Sequence, residues 1–174
     1  LDWWEPCPGL AFFAVLAGRL GASLFLAGRA ETRRVLLSHL SRSFTVTRFD
    51  AAHIDAHLDA GVTPSVVLMN PPFSAVANVD RRMADAALRH IESVLARLPE
   101  GGRLVAITGA SCSPDNPVWR DAFFRLQERG RVVFTAAIAG AVFARHGTTI
   151  ETRLTVIDRL PAEDARAFPS PSGM

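Results

Sequence analysis

The sequence predicts a single α/β domain built on a mostly parallel sheet. Strand-like and helix-like segments alternate from the start of the chain to about residue 128, which is the pattern of β-α-β units. The length of 174 residues allows one sizeable core rather than two. We therefore expect a core domain over residues 1–159 and a flexible tail over residues 160–174, which are rich in Pro, Ser and Ala.

Four strands are predicted in the first half of the chain. They are short apolar or alternating segments: Leu1 to Trp4, Ala22 to Ala27, Ser43 to Phe49 and Ser65 to Met69. Helices are predicted between the first three strands, over about Leu10 to Leu20 and Ala30 to Leu40, and a loop or short helix follows Asp50. The fourth strand is apolar throughout, as expected of a central strand covered on both faces.

The second half continues the alternation and ends in a hairpin. A long helix is predicted from an N-cap at Asp80 to about Leu98. Its inward positions are Met83, Ala87, Ile91, Val94 and Leu95. The fifth strand is Arg103 to Gly109, and another helix runs to about Glu128. Arg131 to Ile138 and Thr148 to Arg159 are predicted to form an antiparallel pair at the sheet edge, because the segment between them has no helical pattern.

Composition excludes several classes of protein. No apolar run reaches the ~18 residues needed to span a bilayer, and no signal segment is visible, so a cytoplasmic protein is expected. Cys7 and Cys112 have no metal-ligand spacing, and His53, Asp55 and His57 lack a second cluster, so no metal site is predicted. All nineteen basic residues are Arg, which suits phosphate contact, but the net charge of +2 is too small to indicate nucleic-acid binding alone.

In open α/β sheets, ligands bind beyond the carboxyl ends of the strands. Five predicted segments lie at such ends: Glu5 to Gly9, Gly28, Asp50, Asn70 to Phe73, and Ser111. Ser111 and Ser113 have no partner base in any recognisable triad motif, which argues against hydrolase chemistry.

The segment Asn70-Pro71-Pro72-Phe73 offers hydrogen-bond acceptors without amide donors. The two prolines stiffen the turn and remove two N–H groups. The Asn70 side-chain oxygen and the Pro71 carbonyl can both accept from one exocyclic amino group, while Phe73 can stack on the ring that carries it. The motif therefore predicts a site for an aromatic amine. The alternative is a rigid surface turn whose Phe fills the core.

This motif resembles the catalytic motif of S-adenosylmethionine-dependent amino-methyltransferases, especially the enzymes that methylate the N6 amino group of adenine in DNA. The wider chain, with "MNPPFSA", "GGRLVAITGAS" and "RHGTTIETRLTVIDR", is similar to the methyltransferase segment attached to bacterial strawberry notch-like helicases. The resemblance implies a Rossmann-like class I methyltransferase fold with a seven-stranded, mostly parallel sheet and an antiparallel edge pair. It implies that Asn70 and Pro71 hold the amine, that Pro72 belongs to the same catalytic motif, and that Phe73 stacks on a flipped base.

The resemblance also implies S-adenosyl-L-methionine as cofactor, although the chain departs from the family pattern there. Glu5 and Gly9 occupy expected positions, but Ala11 replaces a second glycine. Gly28 stands where the family has an acid that binds both ribose hydroxyls. The missing carboxylate is expected to weaken the binding free energy of the cofactor by ~1.5 to 3 kcal/mol. Asp50 matches the acid that accepts from the cofactor's adenine amine, or else it caps the following turn.

Arg145 and His146 occupy the hairpin loop that in the family lies beside the target base. They can contact phosphate or base there, or simply form an exposed hairpin tip. The expected partner is nucleic acid, DNA before RNA, together with a helicase or target-recognition segment of a longer polypeptide. Two other functions stay open: a degenerate, non-catalytic module that binds nucleic acid or a partner, and a methyltransferase for RNA or protein glutamine.

Overall fold

The computed structural model describes residues 2–5, 23–27, 44–47, 61, 63–71, 77–146 and 149–173. Eight strands in this part of the chain form one sheet: β1 (Asp2–Glu5), β2 (Ser23–Ala27), β3 (Phe44–Thr47), β4 (Val66–Met69), β5 (Arg103–Gly109), β6 (Arg131–Ile138), β7 (Thr152–Asp158) and β8 (Ser172–Gly173). Their order across the sheet is β3-β2-β1-β4-β5-β7-β6-β8. The predicted α/β class is therefore confirmed.

All strands except β7 run in the same direction. β1 pairs in parallel with β2 and β4, β2 with β3, and β4 with β5. β7 is antiparallel to both of its neighbours, β5 and β6. The carboxyl ends of β1 to β6 consequently lie at one edge of the sheet, and β7 begins at that same edge.

The predicted antiparallel pair is confirmed, but the described sheet has eight strands where seven were expected, and the additional short strand lies at the edge outside the pair. β7 is the inner strand because it pairs with β5 along its whole length, from Arg103↔Asp158 to Gly109↔Thr152. The short strand β8 pairs with β6 on the outer side. The connecting segment contains a 3-10 helix, Gly140–His146, which the sequence pattern did not predict.

In the part of the chain that the structure describes, two helices cover one face of the sheet, α1 (Ala77–Arg97) and α2 (Arg120–Gln127). α1 begins one turn before the predicted N-cap at Asp80, since the preceding three residues include no helix breaker. Apolar side chains of both helices pack on alternate strand residues in one core: Val67, Met69, Leu88, Ile91, Val94, Leu95, Leu104, Ala106, Phe123, Leu126, Val132 and Ile157. Four of the five predicted inward positions of α1 are buried, and the fifth, Met83, has no described side chain.

On the opposite face of the sheet, the side chains of β4 and β5 are less buried. Val66 and Leu68 of β4 are only partly buried, whereas Val67 and Met69 on the helix-covered face are 0% and 3% exposed. The same alternation continues in β5. The sequence predicts that both faces of β4 are covered, but only the face toward the helices is fully buried.

The segment for which the sequence predicts a loose tail contacts the core of the domain. The Phe168 ring stacks on Phe124 with centroids 6.0 Å apart and meets Phe123 edge-on at 6.2 Å. The Gln127 side chain, which is 0% exposed, donates from Nε2 to the carbonyl oxygens of Ala165 and Ala167 at 3.1 and 2.8 Å. These contacts attach the segment to α2 and lead it to the outer side of β6.

A bidentate ion pair joins the start of β5 to the end of β7. It lies at the edge of the sheet opposite the carboxyl ends of the parallel strands. Arg103 donates from Nε and Nη2 to the two carboxylate oxygens of Asp158 at 2.7 and 2.9 Å. The hydrogen bond from Arg103 is the main reason that the pKa of Asp158 lies below its ordinary value of 3.8; burial opposes this shift, and the positive charges of Arg103 and Arg131 support it.

We expect Asp158→Asn to lower the free energy of unfolding at pH 7 by up to about 1 kcal/mol, the usual limit for an exposed pair. Because the folded-state pKa of Asp158 is lowered, its contribution is present above the unfolded value and is lost as pH falls below about 4. Urea unfolding of both proteins at pH 7 and in acid measures this. A difference that does not shrink in acid contradicts the assignment.

Candidate functional site

The strand order reverses between β1 and β4, which makes this crevice the switch point where ligands of open α/β sheets bind. Glu5 is the last residue of β1, and Asn70 directly follows β4. Because Trp4 pairs with Val67, Asn70 lies two residues beyond the level of Glu5. Strand geometry then separates their Cα atoms by about 8 Å. A ligand lying across the crevice can therefore contact both residues.

The Asn70 side chain offers a free acceptor at this edge. Its Oδ1 atom is buried and finds no hydrogen-bond donor among the described residues. The adjoining Pro71 is also buried, and as a proline it has no N–H to compete for an acceptor. A buried amide oxygen without a partner is unfavourable by about 1 to 3 kcal/mol, so a ligand that donates to it recovers that loss. Pro72 and Phe73 lie outside the described residues.

The cofactor residues predicted from the sequence are only partly described. Glu5 stands at the carboxyl end of β1, beside Leu26 of β2. Gly9, Ala11, Gly28 and Asp50 lie outside the described residues, as do Cys7 and the three residues considered as metal ligands, His53, Asp55 and His57. In the chain, Gly28 comes directly after the end of β2 and Asp50 comes three residues after β3, which are strand ends at the same edge as Glu5.

The loop after β5 is tightly organised by its own polar groups. The Asn116 side chain donates from Nδ2 to the Ser111 carbonyl at 3.0 Å and accepts from the Val118 amide at 3.1 Å. The Ser113 hydroxyl accepts from the Asp115 amide at 3.2 Å and donates to its carboxylate at 3.3 Å. The Ser111 hydroxyl, in contrast, is buried and has no partner in the described structure.

The 3-10 helix brings Arg145 and His146 to the same edge, since it follows the carboxyl end of β6. Gly140 begins this helix where the chain crosses Thr149 closely. A Cβ atom on Gly140 would lie 1.8 Å from the Thr149 carbonyl oxygen, so only glycine fits there. The topology thus places the backbone of both predicted substrate-binding residues on the side of the sheet edge that lies beyond β5.

Sequence reasoning placed Ser111 at a strand end but assigned it no role. It also missed the hydroxyls of Thr108 and Thr152 near the same edge of the sheet. Both residues are 1% exposed, and neither hydroxyl has a hydrogen-bond partner among the described residues. The only sequence signal is the polar character of Thr108, near the end of an otherwise apolar strand. A missing partner shows only in three dimensions.

The described residues give no sign of other site types. None of their groupings of His, Cys, Asp and Glu could hold a metal ion. Cys112 is a buried cysteine, 1% exposed. No helix in the described ranges is both long and apolar enough to cross a bilayer.

Comparison with known proteins finds similarity in structure only. No protein-family model and no curated protein sequence matches the chain. A Listeria monocytogenes protein described as a class I S-adenosylmethionine-dependent methyltransferase has a TM-score of 0.72 and 11% identity, over 100% of this chain and 58% of that one. An rRNA methylase from Streptococcus thermophilus has a TM-score of 0.55 and 13% identity, over 91% and 86% of the two chains.

A third similar structure is described as the modification subunit of a type I restriction enzyme from Vibrio vulnificus. Its TM-score is 0.64 and its identity 15%, over 91% of this chain and 40% of that one. The chain thus spans about half the length of the Listeria and Vibrio proteins. Both the strand order and these similarities agree with the fold expected from the sequence. The chain has the Rossmann-like fold of class I S-adenosylmethionine-dependent methyltransferases.

Proposed function

We propose that this chain is a methyltransferase core that transfers a methyl group from S-adenosylmethionine to an exocyclic amino group. The preferred acceptor is the N6 amino group of adenine in DNA. The observation that carries the proposal is the buried, unpartnered Oδ1 atom of Asn70, followed by Pro71, at the carboxyl end of β4. The position beside the switch point and the fold support the same conclusion.

The proposed chemistry uses Asn70 and Pro71 as a pair of acceptors. Each accepts one N–H of the amine, which orients the nitrogen and increases its electron density. S-adenosylmethionine, when bound, supplies an electrophilic methyl group. Neither acceptor is a base at neutral pH, so the amine releases its extra proton to solvent after the transfer. Phe73 stacks on the base and holds its ring in place.

The cofactor assignment rests on the fold and on the position of Glu5. A carboxylate at the end of β1, about 8 Å in Cα distance from Asn70, suits a ligand that extends from the ends of β1 to β3 toward the amine. Gly9, Ala11, Gly28 and Asp50 complete the proposed cofactor site. Gly28 lacks the carboxylate that would bind the ribose hydroxyls, so we expect S-adenosylmethionine to bind weakly.

We expect Gly28→Asp to raise the affinity for S-adenosylmethionine about tenfold, the value of a restored charge-assisted hydrogen bond. Calorimetric titration of wild type and variant measures this. A cofactor analogue without the 2′- and 3′-hydroxyls is the matched control and should show no gain. An unchanged affinity, or an equal gain for the analogue, contradicts the ribose-binding position of residue 28.

The choice of DNA as acceptor follows from the resemblance of the Asn70 motif to the adenine-specific enzymes, and the Vibrio modification subunit is compatible with it. RNA is the closest alternative, in line with the rRNA methylase among the similar structures. Protein glutamine is the third. Incubation with labelled S-adenosylmethionine and equal masses of single-stranded DNA, RNA and a mixed protein extract tests the choice. Label in DNA supports the proposal, and label only in RNA or protein overturns the substrate assignment.

The proposal includes other segments or subunits that read the target sequence, since the chain covers 58% and 40% of two similar proteins. A helicase or target-recognition segment of a longer polypeptide suits this role.

A non-catalytic module is the second candidate, because Ala11 and Gly28 both depart from the cofactor pattern. Its signature is distinct. Binding of DNA without any heat from S-adenosylmethionine up to millimolar concentration would replace the enzymatic proposal.

A further inference from the structure

The buried polar side-chain atoms that lack a partner in the described structure all lie near one edge of the sheet. Five buried side-chain atoms lack a hydrogen-bond partner there: Asn70 Oδ1, Thr108 Oγ1, Ser111 Oγ, Thr152 Oγ1 and Arg153 Nε. All belong to the last two residues of β5, its following loop, the start of β7 or the residue after β4. Buried polar groups are normally bonded, so a cluster of exceptions at a strand-end edge indicates a ligand site.

Ser111 is the member of this cluster that lies in a loop beyond the sheet. Cys112 donates its amide to the Gly109 carbonyl at 3.0 Å, which closes a turn around Ser111. The Asn116 side chain fixes the Ser111 carbonyl from the other side. The Ser111 hydroxyl is therefore held on a rigid loop while it makes no bond of its own.

Register places this loop beside β4 and farther out from the sheet than Asn70. β4 and β5 are adjacent parallel strands, and Met69 pairs with Ala106, so Asn70 is level with Ile107. β5 continues to Gly109, and its loop therefore leaves the sheet about 10 Å farther out than the end of β4. A base that held its amine at Asn70 and extended outward from the edge would have this loop beside its ring.

The two sets of groups are chemically complementary. Asn70 and Pro71 supply acceptors only, and they suit an amine. A purine with an exocyclic amine also presents a lone pair on a ring nitrogen next to the amino group, and that nitrogen needs a donor. The Ser111 hydroxyl is a donor without a partner.

We propose that the Ser111 hydroxyl donates a hydrogen bond to a ring nitrogen of the substrate base, adjacent to the amine held by Asn70 and Pro71. This inference rests on the proposed amino-methyltransferase function and narrows its substrate to a base with an amine beside an acceptor nitrogen, such as adenine. Ser111 acts as a specificity residue, because a ring that lacks the lone pair leaves its hydroxyl unbonded.

The test compares Ser111→Ala with Ser113→Ala, which removes a hydroxyl from the same loop that is already bonded to Asp115. Methyl transfer is measured on three single-stranded twelve-nucleotide probes made of deoxyadenosine, 1-deazadeoxyadenosine or 7-deazadeoxyadenosine. Single strands need no base flipping and no target sequence. Thermal unfolding of each protein is measured in parallel.

Wild type is expected to lose about tenfold in kcat/KM on one of the two deaza probes, the size of one hydrogen bond to a buried polar group. Ser111→Ala should lose about the same on the adenine probe and no longer distinguish it from that deaza probe. Its Tm should be unchanged or higher, since no bond is lost. Ser113→Ala should lower Tm and keep the discrimination of wild type.

Equal activity of wild type on all three probes overturns the inference, as does a Ser111→Ala variant that still discriminates. Transfer by wild type to the adenine probe keeps the proposed function in either case. Absence of any transfer by wild type overturns both proposals, and that result is read from the wild-type reaction alone.

Discussion

Replacing Asn70 with alanine is expected to lower the rate of methyl transfer by at least about 100-fold and to leave the affinity for S-adenosylmethionine nearly unchanged. The substitution removes the buried acceptor that has no other partner in the described structure. Loss of one preorganised hydrogen-bonding group at a reacting centre typically lowers kcat by about 100- to 1,000-fold. The residues proposed to bind the cofactor follow strands other than β4 in the chain, so we expect their contacts to persist.

Single-turnover transfer of labelled methyl and calorimetric titration of the cofactor measure the two effects separately. Asn70→Asp is the informative companion, because it keeps an acceptor oxygen in place and should retain more activity than the alanine variant. Arg103→Gln is the control for general damage, since it breaks the ion pair with Asp158 at the other end of the sheet. Methyl transfer by Asn70→Ala at the wild-type rate would contradict the role proposed for this side chain.

Replacing Gln127 with leucine is expected to lower the free energy of unfolding by about 3 kcal/mol, a larger loss than the one expected for Asp158→Asn. Its side chain is 0% exposed and forms three hydrogen bonds. Nε2 donates to Ala165 and Ala167, and Oε1 accepts from the Val132 amide at 3.0 Å. Leucine fills a similar volume but leaves the buried Val132 amide and two part-buried carbonyl groups without their partner, at about 1 kcal/mol for each lost hydrogen bond.

Urea unfolding at pH 7 gives the stability change, and Arg125→Ala on the exposed side of the same helix serves as control. Arg166 lies in the segment that Gln127 holds, so its cleavage by trypsin reports local release of the segment. Cleavage after Arg166 should be faster in Gln127→Leu than in wild type. A stability within about 0.5 kcal/mol of wild type, the range of ordinary surface substitutions, contradicts this account of Gln127.

The strands were the most predictable part of the fold. β5 and β6 have the predicted bounds, Arg103–Gly109 and Arg131–Ile138. Each has an apolar run with β-branched residues, and a glycine precedes each run within two residues. These are local signals, and the sequence contains them in full.

The features that the sequence did not predict depend on contacts between distant residues. The inner position of β7 follows from its pairing with β5, some fifty residues earlier in the chain. The attachment of the C-terminal segment depends on Gln127 and on the Phe124–Phe168 stack, whereas the composition of that segment indicates only a tail. The early start of α1 is a matter of one turn, which is the usual uncertainty of a helix end.

The candidate site was predictable in kind but not in detail. The prolines after Asn70 indicate acceptors from the sequence alone, because proline has no N–H. The sequence does not show that the Asn70 oxygen is buried without a donor, or that the Ser111 hydroxyl, in the loop after the neighbouring strand, has no acceptor. Both observations require the folded structure. Pattern reasoning names residue types at strand ends, whereas hydrogen-bond partners depend on the fold.

The most direct test of the central claim is to identify the methylated atom. Single-stranded DNA is incubated with the protein and labelled S-adenosylmethionine, digested to nucleosides and analysed by mass spectrometry against methylated standards. We expect N6-methyldeoxyadenosine with wild type and none with Asn70→Ala. A methyl group on a ring carbon, or no methylated nucleoside from a folded protein that binds the cofactor, would contradict the proposal that this site methylates the exocyclic amine of a DNA base.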